Sequence, residues 1–156
     1  MQPTSMTPRV EDNGEMNEAP ITDLSPQEAW DFLASCSLGR LAVTSLGRPD
    51  IFCVNFIVTD RTIVFRTAEG TKLMALLLDG HVAFEADEVG EEGAVSVVVQ
   101  GRARRVESDA DQEALEIDRL HPQLPTFKYN VVAIDADAIT GRRIRFGEEP
   151  VHIPIM

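Results

Sequence analysis

The chain has 156 residues, enough for one domain that buries its own core without disulfide or metal staples. Hydrophobic residues make up 44% of it and the aromatics are few, the composition of a globular protein packed with aliphatic side chains. Fourteen Lys and Arg against 26 Asp and Glu give a formal charge of −12, which argues against nucleic acid or an anionic membrane as main partner but leaves room for a local basic pocket.

Residues 1–20, MQPTSMTPRVEDNGEMNEAP, have no apolar period and are expected to form a disordered tail, with a single domain over residues 21–156. SPQEAWDFLASC reads as a short helix. Ser25 is its N-cap, Pro26 its first residue and Glu28 the third member of a capping box, with Trp30, Leu33 and Ala34 on one side. GRLAVTSL, a GRPD turn, IFCVNFIV, a TDRT turn and TIVFRT then predict a three-stranded meander. GTKLMALLLDG carries Leu73, Leu76 and Leu77 at helical spacing and stops at Gly80. HVAFEAD and AVSVVVQGRARRVE are two further strands, and residues 108–120 an acidic amphipathic helix capped by Ser108. FKYNVVAIDADAITGRRIRF supplies one or two strands with a turn around Thr140 and Gly141. The fold class is therefore mainly β with short helices: a barrel-like sheet of six or more antiparallel strands. A doubly wound parallel fold is excluded because strands and helices do not alternate.

Cys36 and Cys53 lack any metal-ligand or redox spacing and are expected to be buried free thiols in a reducing cytosol. No apolar run approaches a bilayer span and the N-terminus has no signal-peptide core, so a cytoplasmic protein is expected. His81, His121 and His152 are scattered without ligand partners, and no metal site is expected. Ser45, Ser96 and Ser108 lack a nucleophile elbow. The acidic residues Glu85, Asp87, Glu88, Glu91 and Glu92 read as solvated surface, while Arg142, Arg143 or Arg145 could hold an acidic group in a pocket.

The stretch FRTAEGTKL, residues 65–73, takes a strand into a hydroxyl-rich, basic turn before a helix. Backbone N–H groups near Gly70 and Thr71, the hydroxyls of Thr67 and Thr71, and the charges of Arg66 and Lys72 are the parts a phosphate monoester needs. The same residues also suit plain helix capping with solvated cations. A nucleoside-triphosphate loop is excluded, because Phe65 stands where its first glycine would be.

The order of CVNFIV (53–58) and VFRTAEGTKL, with GRLAV (39–43), VAFEAD (82–87), VVVQGRARRV (97–106) and ITGRRI (139–144), resembles the FMN-binding split-barrel superfamily typified by pyridoxamine 5'-phosphate oxidase. It is most similar to the short bacterial branch that is pyridoxamine-phosphate-oxidase-like or nitroimidazole-reductase-like, and the likeness covers residues 25–146. The resemblance implies that Thr67 and Lys72 contact the FMN phosphate, helped by Arg66 and Thr71, and that Val54, Asn55 and Phe56 lie beside the flavin ring. It also implies a homodimer, with Ser96 of the partner subunit completing the site. The C-terminus, GRRIRFGEEPVHIPIM, lacks the Trp and Arg-x-His of the true oxidases, so oxidation of pyridoxamine phosphate is not expected. The expectation is an FMN-dependent oxidoreductase reducing a small nitroaromatic or quinone-like acceptor, with no catalytic residue assigned. The alternatives are a deazaflavin-dependent reductase of the same fold and a non-catalytic flavin- or haem-binding carrier or sensor.

Overall fold

The structure, a computed structural model, describes residues 19–68, 73, 77, 80–120, 129–148 and 154–155. Residues 1–18 of the expected tail, Thr71, Lys72, Leu76, His121 and His152 lie outside the described residues. Seven strands are described: β1 Ile21–Asp23, β2 Leu38–Ser45, β3 Arg48–Thr59, β4 Thr62–Ala68, β5 His81–Val89, β6 Gly93–Val106 and β7 Tyr129–Arg145. Their order is β1-β7-β4-β3-β2-β5-β6, every pairing is antiparallel, and a β6–β7 ladder closes the sheet into a barrel.

Two tight turns build the β2-β3-β4 meander. Leu46 and Gly47 (φ 50° and 75°) join β2 to β3, and Asp60 and Arg61 (φ 48° and 57°) join β3 to β4. Positive φ at both central residues matches the twist of the strands that such a loop connects. The first turn is therefore two residues earlier than the expected GRPD, and Arg48, Pro49 and Asp50 belong to β3.

β7 is one continuous strand, and the turn expected at Thr140 and Gly141 is not formed. Gly141 serves packing instead: a Cβ there would meet Leu24 at 2.9 Å and Ala29 at 3.3 Å. Residues 129–135 of β7 pair with β4, residues 131–145 with β6, and residues 142–144 with β1. A register shift at Gln100/Gly101 bends this longest ladder where the barrel must close.

Helix α1, Pro26–Ser35, has the full capping box, Ser25 accepting from the Glu28 N–H and Glu28 accepting from the Ser25 N–H. It buries Ala29, Trp30 and Leu33 against the barrel, whereas Ala34 faces out, one residue off the expected stripe. The segment expected as a helix from 108 to 120 is broken. Helix α2, Asp109–Ala114, ends before Glu116, which takes a left-handed conformation (φ 56°), and a 3-10 turn, Ile117–Arg119, follows. Leu73 and Leu77 are helical, and Leu77 is fully buried.

Strand alternation sorts the side chains into two cores. Leu33, Leu41, Ile63, Phe65, Phe84, Val97, Val132 and Ile134 fill the barrel. Val64, Val106, Val131 and Ala133 face outward and are covered by Leu115, Ile117 and Leu120. Cys36 is half-buried but Cys53 is exposed, correcting the expectation for the latter, because Cys53 has the outward parity of β3 while Phe52 and Val54 point in.

Closure leaves no room at the bulge. A Cβ on Gly101 would overlap the Asp135 carbonyl oxygen and sit 3.1 Å from Ile134. Gly101→Ala should cost about 1–3 kcal/mol, the usual penalty of overpacking. Urea unfolding should show a lower midpoint with an unchanged slope.

Candidate functional site

β3 is the strand on which the site is built, because its two edges are treated differently. Against β2 it pairs from Arg48 to Asn55, but against β4 only from Phe56↔Phe65 to Thr59↔Thr62. Beyond Phe56 the two strands part, and β4 continues alone with β7 through Arg66↔Val131, Thr67↔Asn130 and Ala68↔Tyr129.

Successive residues of a strand offer their backbone groups to opposite edges. The Phe56 N–H donates toward β2, to the Ser37 carbonyl at 3.0 Å, so Asn55, Cys53 and Ile51 offer theirs to the edge that β4 has left. The Ile51 N–H is taken by the Asp50 carboxylate at 2.9 Å. No described strand pairs with the edge at Cys53 and Asn55.

Of the residues singled out in the sequence, Asn55 is exposed on the outer face of β3, and Val54 packs against the barrel core. Phe56 is 2% exposed and meets Phe84 edge-to-face at 4.7 Å between ring centroids, so its side chain is core, and its N–H is already taken by Ser37. Arg66 and Thr67 leave β4 on opposite faces. Thr67 is buried on the inner face with Phe65, while Arg66 is half-buried and donates to the Ile117 carbonyl at 3.2 Å on the outer one. Thr71 and Lys72 lie outside the described residues.

Ser96 is half-buried on β6, opposite both Asp87 and Arg142. It shares the outer face with Asn55: Asn55 stands opposite Leu38, and the β2–β5 register brings Leu38 level with Asp87. The two residues thus lie in one transverse row, three strand spacings or roughly 14 Å apart. The same face exposes Leu38 (56%), Ile51 (65%), Val89 (69%) and Ile21 (51%) together with Cys53.

At the centre of this face Arg40 donates to Glu85 at 2.9 Å and to Asp87 at 3.1 Å. The expectation of purely solvated acids fails for Glu85, which is partly buried on the sheet. Burial first, then the neighbouring Asp87, push its carboxyl above the ordinary value, and the contact with Arg40 only partly opposes them.

A separate groove of about 820 Å³ opens between α1, β1 and the β5–β6 hairpin. Arg143 and Arg145 line it with Glu28, Glu88, Phe32 and Val95, while Arg142 is on the opposite, outer face. The backbone and side chain of Ser25 hold the Glu28 carboxylate below its usual range, with a smaller pull from Arg143. None of the groove's lining comes from β3 or β4. Among the described residues no group of three or more His, Cys, Asp or Glu is placed to hold a metal, and no helix is long and apolar enough to cross a membrane.

The family model described as pyridoxamine 5'-phosphate oxidase matches residues 25–143. The structure of an FAD binding protein from Mycobacterium smegmatis is 44% identical, covers 81% of this chain and 100% of its own, and superposes with a TM-score of 0.75. The uncharacterized protein Rv0080 of Mycobacterium tuberculosis is 34% identical over 131 residues, which span 80% of this chain and 86% of that protein. At the level of fold alone, the flavocytochrome Anf3 of Azotobacter vinelandii is similar, with 12% identity, a TM-score of 0.60, and 86% and 84% of the two chains covered. The barrel described above is the flavin-binding split barrel.

The raised carboxyl of Glu85 has a definite sign in stability. Between its ordinary and its raised value the folded chain holds a proton that the unfolded chain has released, so stability falls as pH rises through that window. Glu85→Gln should flatten this part of the pH–stability curve and leave stability at neutral pH no lower than in the unaltered protein, as urea midpoints across pH would record. A large loss at neutral pH would mean that the Arg40 contact dominates.

Proposed function

The chain belongs to the pyridoxamine 5'-phosphate oxidase family, and from that premise we propose that it is an FMN-binding oxidoreductase that reduces a small organic acceptor, nitroaromatic or quinone-like, at a site shared by two copies of the chain. The observation that carries this reading is the parting of β3 from β4, which leaves the backbone N–H and C=O of Cys53 and the N–H of Asn55 on an edge with no described partner strand. A flavin's pyrimidine edge carries both donors and acceptors, and a strand edge beside the Asn55 carboxamide offers both in return. The residues therefore fit the group.

When bound, the flavin supplies hydride and single-electron transfer through its own ring. The protein's part is to orient that ring. Val54 and Phe56, packed into the barrel core, keep β3 rigid while its edge and Asn55 read the ring. Thr67 near the end of β4 holds the phosphate in this reading together with Thr71 and Lys72, whereas Arg66, on the opposite face of β4 and bonded to the Ile117 carbonyl, stands apart from them. The similarity to a Mycobacterium smegmatis protein described as FAD binding supports a flavin over haem or a deazaflavin. The residues named read only the ring, the ribityl chain and the first phosphate, the portion common to FMN and FAD.

Two features support a two-chain site. The outer face of β3, β2 and β5 exposes the aliphatic side chains of Ile51, Leu38 and Val89 around the Arg40 charge cluster, a surface suited to a second copy. Asn55 and Ser96, roughly 14 Å apart within one chain, serve a single ring when they come from different copies.

Freshly purified protein should show a flavin absorption spectrum and release FMN on denaturation, identified by mass. Release of FAD would correct the cofactor, and a protein that neither carries nor takes up any flavin would overturn the proposal. Lys72→Ala should weaken FMN binding about tenfold in a fluorescence titration while the fold is kept, the loss of one charge-assisted phosphate contact. Leu38→Glu, at an exposed aliphatic of this face, should yield a monomer in sedimentation and lose flavin in step. A monomer with unchanged flavin affinity would show that the site lies within one chain.

A further inference from the structure

Inside the barrel the β4–β7 ladder runs through two apolar rungs, Ile63↔Ile134 and Phe65↔Val132, and then through a polar one, Thr67↔Asn130. Directly paired residues project to the same face, so the Thr67 hydroxyl and the Asn130 carboxamide both close the barrel interior at the end where β4 leaves β3. Asn130 is only 4% exposed, and its Oδ1 has no hydrogen-bond partner among the described residues. Buried carbonyl oxygens are almost always paired, and an apolar residue here would simply continue the run of Val132 and Ile134. The rung is polar at a position where stability alone would favour a hydrocarbon.

We propose that Asn130 is a flavin-binding residue whose Oδ1 accepts a hydrogen bond from a ribityl hydroxyl. The inference rests on the flavin reading given above and adds to it an acceptor from β7. The chemistry selects the ribityl chain. An acceptor needs a donor: the phosphate dianion and the ring carbonyls are acceptors only, the ring's N3–H belongs to the pyrimidine edge read by β3 in the reading above, and the ribityl hydroxyls donate and lie next to the phosphate. Thr67, the residue placed at the phosphate, is directly across the rung from Asn130. Because Oδ1 is closed to solvent, the contact forms as the carboxamide turns about its soft terminal torsion on binding.

The test compares Asn130→Leu with the unaltered protein against three ligands: FMN, riboflavin, and lumiflavin, which has the ring but no ribityl hydroxyls. The leucine variant should lose about tenfold in affinity for FMN and for riboflavin, the worth of one buried hydrogen bond, and nothing for lumiflavin. Its ligand-free melting temperature should equal or exceed that of the unaltered protein. Unchanged affinity for FMN would overturn the inference, and so would an equal loss for all three ligands, which would mark a structural amide. If the leucine variant does not fold, Asn130→Ser, which shortens the reach but keeps a hydroxyl, is read by the same comparison of riboflavin with lumiflavin. An unaltered protein that binds none of the three would overturn the flavin reading together with this one, whereas normal binding by both proteins overturns this one alone.

Discussion

A single strand with three neighbours sets the shape of this protein. β7, Tyr129–Arg145, pairs with β6 along most of its length, with β4 at its beginning and with β1 near its end. On one edge β4 stays with β7 through Ala68, while on its other edge the β3–β4 ladder stops after Phe56↔Phe65. The open edge of β3 begins where that ladder stops. An unpaired edge is ordinarily a liability in a sheet protein. Here Asp50 caps one of its N–H groups, and the stretch at Cys53 and Asn55 is left for another partner.

The two faces of the barrel wall follow from alternation and do different work. Inward parity puts Val54, Phe56, Phe65, Phe84, Val97 and Val99 into the main core, and edge-to-face contact between Phe56 and Phe84 locks β3 to β5 across the interior. Outward parity on β4 and β7 is covered by the segment from α2 to Leu120, which the Thr59 hydroxyl (to the Leu115 carbonyl, 2.9 Å) and Arg119 (to the Val58 carbonyl, 3.2 Å) tie to β3. Beyond Ile57, no described residue covers the outward parity of β2, β3 and β5. That face combines exposed aliphatics with one embedded charge cluster, Arg40 between Glu85 and Asp87. Surface ion pairs contribute little to stability, so the cluster does more to fix how another surface may sit against the face than to hold the sheet together.

Much of the fold was legible because turns and caps are local chemistry. Leu46-Gly47 and Asp60-Arg61 lie between runs of strand-forming residues, and Ser25-Pro26-x-Glu28 starts a helix whatever surrounds it. The readings that failed depended on distant partners. Thr140-Gly141 has the composition of a turn, yet the glycine is there because Leu24 and Ala29 press against β7 from outside the sheet. The break at Glu116 lets Ile117 and Leu120 settle on the outer wall, which no periodicity within residues 108–120 could announce. Cys53 looked buried because its neighbours are apolar, but whether a given parity faces core or solvent is decided by the strands on either side.

The candidate site shows the same division with opposite consequences for two asparagines. Asn55 stands out in CVNFIV because a polar residue interrupts an apolar strand, and the exposed face on which it lies makes that interruption cheap. Asn130 interrupts YNVVAI in the same way, but it could not be weighed without knowing that its parity points into the barrel. There the unpaired oxygen costs about 1–3 kcal/mol, in a family of folds whose total stability is only a few times that. A polar residue is informative in proportion to what it costs where it sits. By that measure the buried carboxamide on β7 points to ligand chemistry at the end of the barrel more strongly than the exposed one on β3 that drew attention first.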